Sequence, residues 1–456
     1  MAQITLQNVL KAAYAVALVA GTVSAIELDI KNEQSIKNAA ATAVFNTMQH
    51  YDGNKTGGIP GVLPELWGEG GILFNLMIQY WYFTGDASNN AAVSQGMYQQ
   101  VGNNNNYMPS NYSSYMGNDD QMAWGLAAMT AAELGYPEDT DQTSWLTLAE
   151  GVFNTQVARW DTSNCGGGLR WQIWPYQAGY NMKNSISNGG LFQLSARLAR
   201  YTNNQTYADW AEKIWDWSAS VPLLNNKTWS VADSTDIDND CTTQGNNQWT
   251  ANYGPYISGA AYMYNFTNGQ TSKWKSGLDG LLNATLEEFF PEKYGGLILS
   301  EIICGPEEVC NSIENTYKGT FASDLTLASL VAPYISSEIS SRLQASAVAA
   351  AKQCTGGSNQ TICGTRWYSE KWDDTDGMEQ QLSAASIFFS NLARSNEKGV
   401  VSGSTANLTT GQSGTNTTTT NSTAIPVALN SANQLFQGQL GTVAGALAVA
   451  VSLFVL

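Results

Sequence analysis

"RYTNNQTYADW", from Arg200 to Trp210, decides the fold: a bulky residue closes one helix, polar residues turn the chain, and a second helix begins. The same order recurs in "YFTGDAS" from Tyr82, "ELGYPEDTDQTSW" from Glu133 and "NFTNGQTSKW" from Asn265. A recurring helix–turn–helix unit signals stacked helical hairpins, here at irregular intervals of roughly fifty to sixty-five residues because long loops are inserted between copies. Elsewhere the chain is rich in Ala and Leu, with apolar residues three and four apart, and strand signals are scarce. In "SIKNAAATAVFNTMQHY", Ile36, Ala39, Ala40, Ala43 and Met48 fall on one apolar side. Helix starts are predicted near Glu33, Pro64, Ser88, Asp119, Gln142, Ser185, Tyr207, Thr250, Thr271, Asn315, Ser336 and Gly377, about twelve helices in all. Paired as six hairpins of inner and outer helices, they predict an all-α fold, an (α/α)6 barrel or toroid, whose terminal hairpins bury against each other without capping repeats. The long loops "PSNYSSYMGN", "CGGGLRWQIWPYQAGYNMKN" and "NNKTWSVADSTDIDNDCTTQGNNQ" then gather at one mouth, where function tends to sit.

Both ends read as processing signals rather than as fold. After Lys11 an apolar run, "AAYAVALVAG", leads to "VSA" at Val23 to Ala25, so residues 1–25 are expected to direct secretion; the run is too short to span a bilayer. Residues 26–397 are left as the folded domain, followed by a Ser/Thr/Asn-rich linker over 398–430. Small residues at Asn430, Ser431 and Ala432, a polar spacer and the uncharged tail "GTVAGALAVAVSLFVL" give 431–456 the order of a glycosylphosphatidylinositol anchor signal, which implies attachment to a membrane.

Ten Asn-x-Ser/Thr sequons, at Asn54, Asn111, Asn204, Asn226, Asn265, Asn283, Asn359, Asn407, Asn416 and Asn421, agree with a secretory route. Six cysteines are an even set for an oxidising compartment and allow fifteen pairings. Cys304 with Cys310 and Cys354 with Cys363 are the natural close pairs, which would leave Cys165 to meet Cys241. Zinc spacing is absent, and neither a metal nor another cofactor is expected. The formal charge is -17 although only 13% of residues are charged, so the surface is expected to be covered by amides, hydroxyls and glycans. An acidic chain of this kind is a poor partner for nucleic acid. The single histidine, His50, gives little basis for a histidine mechanism.

Fifteen Trp and twenty-one Tyr exceed what a core needs, and many fall in the loops: Tyr107, Tyr112, Tyr115, Trp171, Trp174, Tyr176 and Trp249. Aromatic faces beside Asn, Gln and Asp suit sugar rings, which have apolar faces and hydroxylated rims. The stretch "MGNDDQMAWGLAAMTAAELGY", from Met116, sets Asp119 and Asp120 side by side at a helix start. Acidic residues there complement the macrodipole and can cap the helix, but one cap does not require two carboxylates. Glycoside hydrolysis does require two carboxyls, and side chains on Cα atoms about 3.8 Å apart can reach the roughly 5 Å separation of a retaining enzyme. Close negative charges oppose double ionisation, so one acid stays charged while its neighbour holds a proton.

"NDDQMAWGLAAMTAAE" resembles the Asp-Asp-x-x-x-Trp helix start of family 76 of the glycoside hydrolases, the endo-α-1,6-mannanases. "CGGGLRWQ" at Cys165, "KNSISNGGLFQLSARL" at Lys183, "QWTANYGPYISGAAYMY" at Gln248, "YKGTFASDL" at Tyr317 and "DGMEQQLSAASIF" at Asp376 resemble further blocks of that family, in order. With the secretion and anchor signals, the resemblance is to the fungal cell-wall branch. It implies an (α/α)6 barrel and retaining cleavage at α-1,6-linked mannose, with Asp119 as nucleophile and Asp120 as general acid/base. The implied substrates are α-1,6-mannan or the mannose core of a lipid-anchor glycan, with a wall β-glucan as acceptor in transfer. Trp124 stands in the motif's place, where it is expected to support the site from the helix, and it is counted among the sugar-contact candidates with Trp171, Gln172, Asn184 and Asn188 of the further blocks. Where bacterial members tend to carry Arg in the block at Tyr317, this chain has Ser323 and Asp324.

Trp249 from the loop aromatics and Asp236 from the acidic loop "DSTDIDND" complete the candidate contacts. That loop lacks the Gly and distal Glu of an EF-hand, so a solvated loop or one Asp reaching a distal sugar is the expectation. The alternative to an enzyme is a non-catalytic wall lectin or structural mannoprotein that keeps the cleft. Acidic sugars would want a basic cleft, for which these loops offer chiefly Arg170 and Lys183.

Overall fold

The computed structural model describes residues 25–64, 66–395 and 399–400. Twelve α-helices follow one another among them: α1 Glu33–Gln49, α2 Trp67–Thr84, α3 Asn90–Gln99, α4 Asn118–Leu134, α5 Trp145–Val157, α6 Ser185–Thr202, α7 Gln205–Ser220, α8 Thr250–Phe266, α9 Ser272–Glu288, α10 Ser312–Val331, α11 Ser336–Lys352 and α12 Met378–Ser390. Each starts within three residues of its predicted position. Local chemistry sets several of these starts. Asn32, Ser144, Asn184, Asn204 and Asn311 each accept a backbone N–H of the first turn of α1, α5, α6, α7 and α10, and Glu314 reciprocates at α10 to complete a capping box. Gly85 and Gly135 end α2 and α4 in left-handed geometry, which a side chain resists.

Burial separates two layers. Helices α2, α4, α6, α8, α10 and α12 are buried on nearly every face, whereas α1, α7 and α9 bury one stripe and leave the rest to water. The six inner helices pack in sequence order, and α12 returns to α2, so the ring is closed. The predicted turns join inner to outer helices: α2 to α3, α4 to α5, α6 to α7 and α8 to α9. One pairing is non-local, because α1 lies mainly against α12 and completes the sixth pair. Its buried stripe runs through Ile36, Ala39, Ala40, Ala43 and Val44, while Met48 is only half-buried.

Because inner and outer helices alternate, all six inner helices start on the same side, and the long loops meet there. Strand β1, Met182–Asn184, pairs antiparallel with β2, Ser234–Asp236, and the Cys165–Cys241 disulfide joins the same two loops. The remaining bridges, Cys304–Cys310 and Cys354–Cys363, join the two close pairs of the sequence. Strands β3, Cys354–Gly356, and β4, Ile362–Cys363, flank the last of them. The expected secretion signal, apart from Ala25, and the anchor segment lie outside the described residues. Beyond the boundary expected at residue 397, Gly399 and Val400 still accept hydrogen bonds from Tyr82 and Arg200.

Candidate active site

Helix α4 begins at the mouth, and its N-cap is Gly117 rather than a polar side chain. Asp120 supplies half of a capping box, since its Oδ2 accepts the Gly117 N–H at 2.7 Å and the glycine has no side chain to reciprocate. Asp119 takes no part in the cap. Its Oδ2 accepts the Trp171 indole N–H at 2.7 Å, and its Oδ1 accepts the Asp120 amide at 3.1 Å. Two glycines make room for these acids: a Cβ on Gly117 would stand 2.3 Å from Asp119 Oδ1, and one on Gly68 would stand 2.3 Å from Asp120 Oδ1. The segment carrying Trp171 is pinned alongside. The Asn118 backbone N–H donates to the Trp171 carbonyl at 2.9 Å, its side-chain amide donates to the Arg170 carbonyl at 2.9 Å, and Gly117 pairs with Gln172 in an antiparallel bridge.

Both acids line a cavity of about 400 Å³ that runs down the ring axis. Its walls follow one face of several inner helices: Gly68, Ile72 and Asn75 on α2, Asp119, Ala123 and Leu126 on α4, Ile186, Gly190, Gln193 and Arg197 on α6, and Ile313, Tyr317, Thr320 and Asp324 on α10. These are i, i+4, i+7 and i+11 positions, so the cavity descends about 16 Å from the mouth along α10. On α8, Ala251 and Pro255 line it, and the missing proline N–H leaves the Ala251 carbonyl without its helical donor. At the deep end the Arg197 guanidinium is committed to Glu133 at 2.8 Å and to Thr130, with the Tyr262 hydroxyl donating to Glu133 as well.

The electrostatics follow from this enclosure. Part of each catalytic-candidate carboxyl meets the cavity, and protein surrounds the rest. Burial and the charge of Asp120 push Asp119 up to about 7, against the pull of the Trp171 donor. Burial likewise raises Asp120, opposed by the Gly117 N–H. Adjacent buried carboxyls cannot both be charged cheaply, so the pair holds one proton between them over a window reaching neutral pH. Each acid raises its neighbour, so the single charge settles by the donors available to it: two N–H groups donate to Asp119 and one to Asp120. Deeper, Asp324 is pushed up to about 7 by burial although Gln193 donates to its Oδ1 at 2.6 Å. Such an arrangement can attack a carbon with one carboxylate while the other delivers a proton.

Of the other sequence candidates, Trp171 and Gln172 stand on the cavity wall beside Asp119. Trp124 does not: it is fully buried in a stack with Tyr107, Trp67 and Tyr112, so it backs the α2–α4 contact and offers no face to a sugar. Asn188 is fully buried and spends its amide on both the N–H and the carbonyl of Leu169 and on the Asn184 carbonyl, while Asn184 caps α6. Asn188 therefore pins the loop that carries Trp171, Asn184 holds the start of α6, and neither stands on the cavity wall. Asp236 caps the short helical turn Ile237–Asn239 through the Asp238 N–H and is off the cavity wall. Trp249 precedes α8 and meets the Tyr317 ring edge-on, one ring back from the cavity.

Arg170 and Lys183 are paired with Asp161 and stand off the cavity wall, and Arg197 on that wall is committed to Glu133, so the lining offers an acidic sugar no unpaired cation. His50 ends α1 near Asp376, also away from the site. The residues that sequence reasoning missed, Gly68, Asn75, Gln193 and Arg197, and Asp324, noted there only as a departure from the family block, carry a signal of their own: polar or minimal side chains recurring on an otherwise apolar helix face. Among the described residues, three metal-type ligands gather at Cys304, Cys310 and Glu314, where a disulfide already occupies both sulfurs.

A family model described as Glycosyl hydrolase family 76 matches residues 35–404. The chain is 41% identical over 376 residues to the mannan endo-1,6-alpha-mannosidase DCW1 of Saccharomyces cerevisiae, covering 81% of this chain and 82% of the relative. It is 39% identical over 378 residues to the mannan endo-1,6-alpha-mannosidase DFG5 of Candida albicans, again covering 81% and 82%. The crystal structure of Dfg5 from Chaetomium thermophilum in complex with glucosamine is similar at a TM-score of 0.79 and 38% identity, over 83% of this chain and 94% of that one. At 16% identity an alpha-1,6-mannanase from Salegentibacter shares the fold, with a TM-score of 0.62 over 78% of this chain and 98% of that one. An inactive variant of that mannanase, with two consecutive aspartates replaced by alanine, has been solved with alpha-1,6-mannotetrose.

Proposed function

The chain belongs to glycosyl hydrolase family 76, and from that premise we propose that it is a retaining mannan endo-1,6-α-mannosidase acting through Asp119 and Asp120. The observation that carries the proposal is the pair itself: adjacent, recessed, oriented by separate donors and placed on the wall of the axial cavity. Asp119, holding the charge, attacks C1 of the mannosyl unit, and the C1–O bond breaks. Asp120 gives its proton to the departing oxygen. A water or an acceptor hydroxyl then attacks the mannosyl-Asp119 ester, Asp120 takes its proton, and Asp119 is released with the anomeric configuration kept.

The two outcomes share every step but the last, so one site serves hydrolysis and transfer alike. The donor is α-1,6-mannan or the mannose core of a glycosylphosphatidylinositol glycan, and a wall β-glucan is the acceptor in transfer. The expected secretion and anchor signals put this chemistry outside the cell, at the membrane face and in the wall.

Release of mannose oligomers from α-1,6-mannan by the wild type, Asp119→Ala and Asp120→Ala tests the reading. Loss of release in both variants is expected, and equal release by all three proteins removes these residues as catalysts. No turnover by the wild type, even with a glucan oligomer present, favours the lectin. Mass spectrometry of the products separates the outcomes, since a mixed mannosyl-glucan product marks transfer.

A further inference from the structure

Beside the mouth, the loops over residues 107–117 and 169–182 expose rings that a fold would ordinarily bury. Tyr115 is 58% exposed, Trp174 37% and Tyr176 71%. Trp174 and Tyr176 lie in nearly parallel planes, 3° apart, with centroids 6.4 Å apart, too far for either ring to cover the other. Their polar edges are all spent. Trp174 Nε1 donates to the Ser113 carbonyl at 2.6 Å, and the Tyr176 hydroxyl donates to the Ser114 carbonyl at 2.5 Å. Gln177 donates to the Tyr115 carbonyl and to Gln172 Oε1, both at 2.8 Å.

Exposed side chains normally keep their rotamer freedom. Here the Trp174 and Tyr176 rings are each anchored at the rim to the neighbouring loop, so their open faces are pre-organised for a ligand. Tyr115 and Gln172 also line the cavity, which makes these rings a continuation of its mouth. No charged residue stands between Ser113 and Tyr115 or between Trp174 and Gln177, so the surface suits a neutral ligand with apolar faces and a hydroxylated rim.

We infer that Trp174 and Tyr176, continued inward by Tyr115, form an outer shelf for the pyranose units of a mannan chain that lie beyond the unit being cleaved. The shelf rests on the mannanase reading and adds to it a preference for longer chains. It holds units remote from the reacting bond, so it sets chain-length affinity and leaves the chemistry at Asp119 and Asp120 unchanged.

The test is calorimetric titration of enzymatically deglycosylated Asp119→Asn protein, which does not consume its ligand, with α-1,6-mannotriose and α-1,6-mannohexaose. The hexaose is expected to bind about tenfold more tightly, a gain of the size that ring stacking supplies. Adding Trp174→Ala and Tyr176→Ala is expected to shrink that advantage to about twofold while triose affinity stays, which also shows that the cavity remains folded. A full length advantage kept in the triple variant overturns the shelf and leaves the mannanase reading intact. If neither oligomer binds and the wild type cleaves neither, the mannanase reading fails and the shelf falls with it.

Discussion

Trp171→Phe keeps a ring on the cavity wall but deletes the N–H that Asp119 Oδ2 accepts at 2.7 Å. A hydrogen bond to a charged group contributes about 1.5–3 kcal/mol, and about 1.4 kcal/mol is one pKa unit, so charge on Asp119 becomes harder to hold by about one to two units. The pair titrates in two steps, from two protons to one and from one to none. With the single charge on Asp119, the lost bond weighs on the first step alone, because Asp119 is charged on both sides of the second. The acidic limb of the kcat/KM profile on an α-1,6-mannan oligomer therefore moves up by about one unit or more, and the alkaline limb stays. With the charge on Asp120 instead, the acidic limb would stay and the alkaline limb would rise. A shifted alkaline limb, or an unmoved profile from a variant with wild-type Tm, refutes the division of roles.

Gly68→Ala would place a methyl 2.3 Å from Asp120 Oδ1, so the carboxyl must move; kcat is expected to fall about a hundredfold in steady-state assays with the circular dichroism spectrum unchanged. Burial pushes Glu301, which accepts from Thr250 at the start of α8, up to about 7. A raised acid stabilises the fold below its unfolded pKa of about 4.3 and loses that contribution as pH climbs to about 7. Relative to Glu301→Gln, the wild type should lose roughly 3 kcal/mol across that window, read as a Tm gap that opens between pH 4.5 and 7.5. Replacing Cys165 and Cys241 by Ser opens a loop with a sequence separation of 76 residues and should cost about 4 kcal/mol, seen as a lower urea midpoint at an unchanged far-ultraviolet spectrum.

Local chemistry made much of this architecture legible. Four polar turns, at Tyr82, Glu133, Arg200 and Asn265, mark inner-to-outer connections because each must end one amphipathic helix and cap another. The ring's closure was less direct: α1 docks on α12, more than three hundred residues away in sequence, and no local pattern encodes that pairing. At the site, two neighbouring acids at a helix start were readable, and so was the block that brings Trp171 beside them. Asn188 misled because an amide in a family-like block looks the same whether it faces a ligand or pins a loop, and burial alone tells the two apart. Trp124 misled similarly, since a large ring one turn below the acids can line a cleft or fill the seam behind it. Gln193 and Asp324 sit in plain helical periodicity, two and three turns below the mouth, where only the packed ring shows that their face meets a cavity.

Cleavage with retention requires a covalent bond between Asp119 and a mannose carbon. A 2-fluoro α-mannosyl donor with an activated leaving group slows breakdown of the ester, so peptide mass spectrometry of the trapped protein locates it. One fluoromannosyl adduct is expected, on the peptide containing Asp119, and none in Asp119→Asn. An adduct on Asp120 or on any other residue, or inversion of the product's anomeric configuration with no adduct, would contradict that expectation.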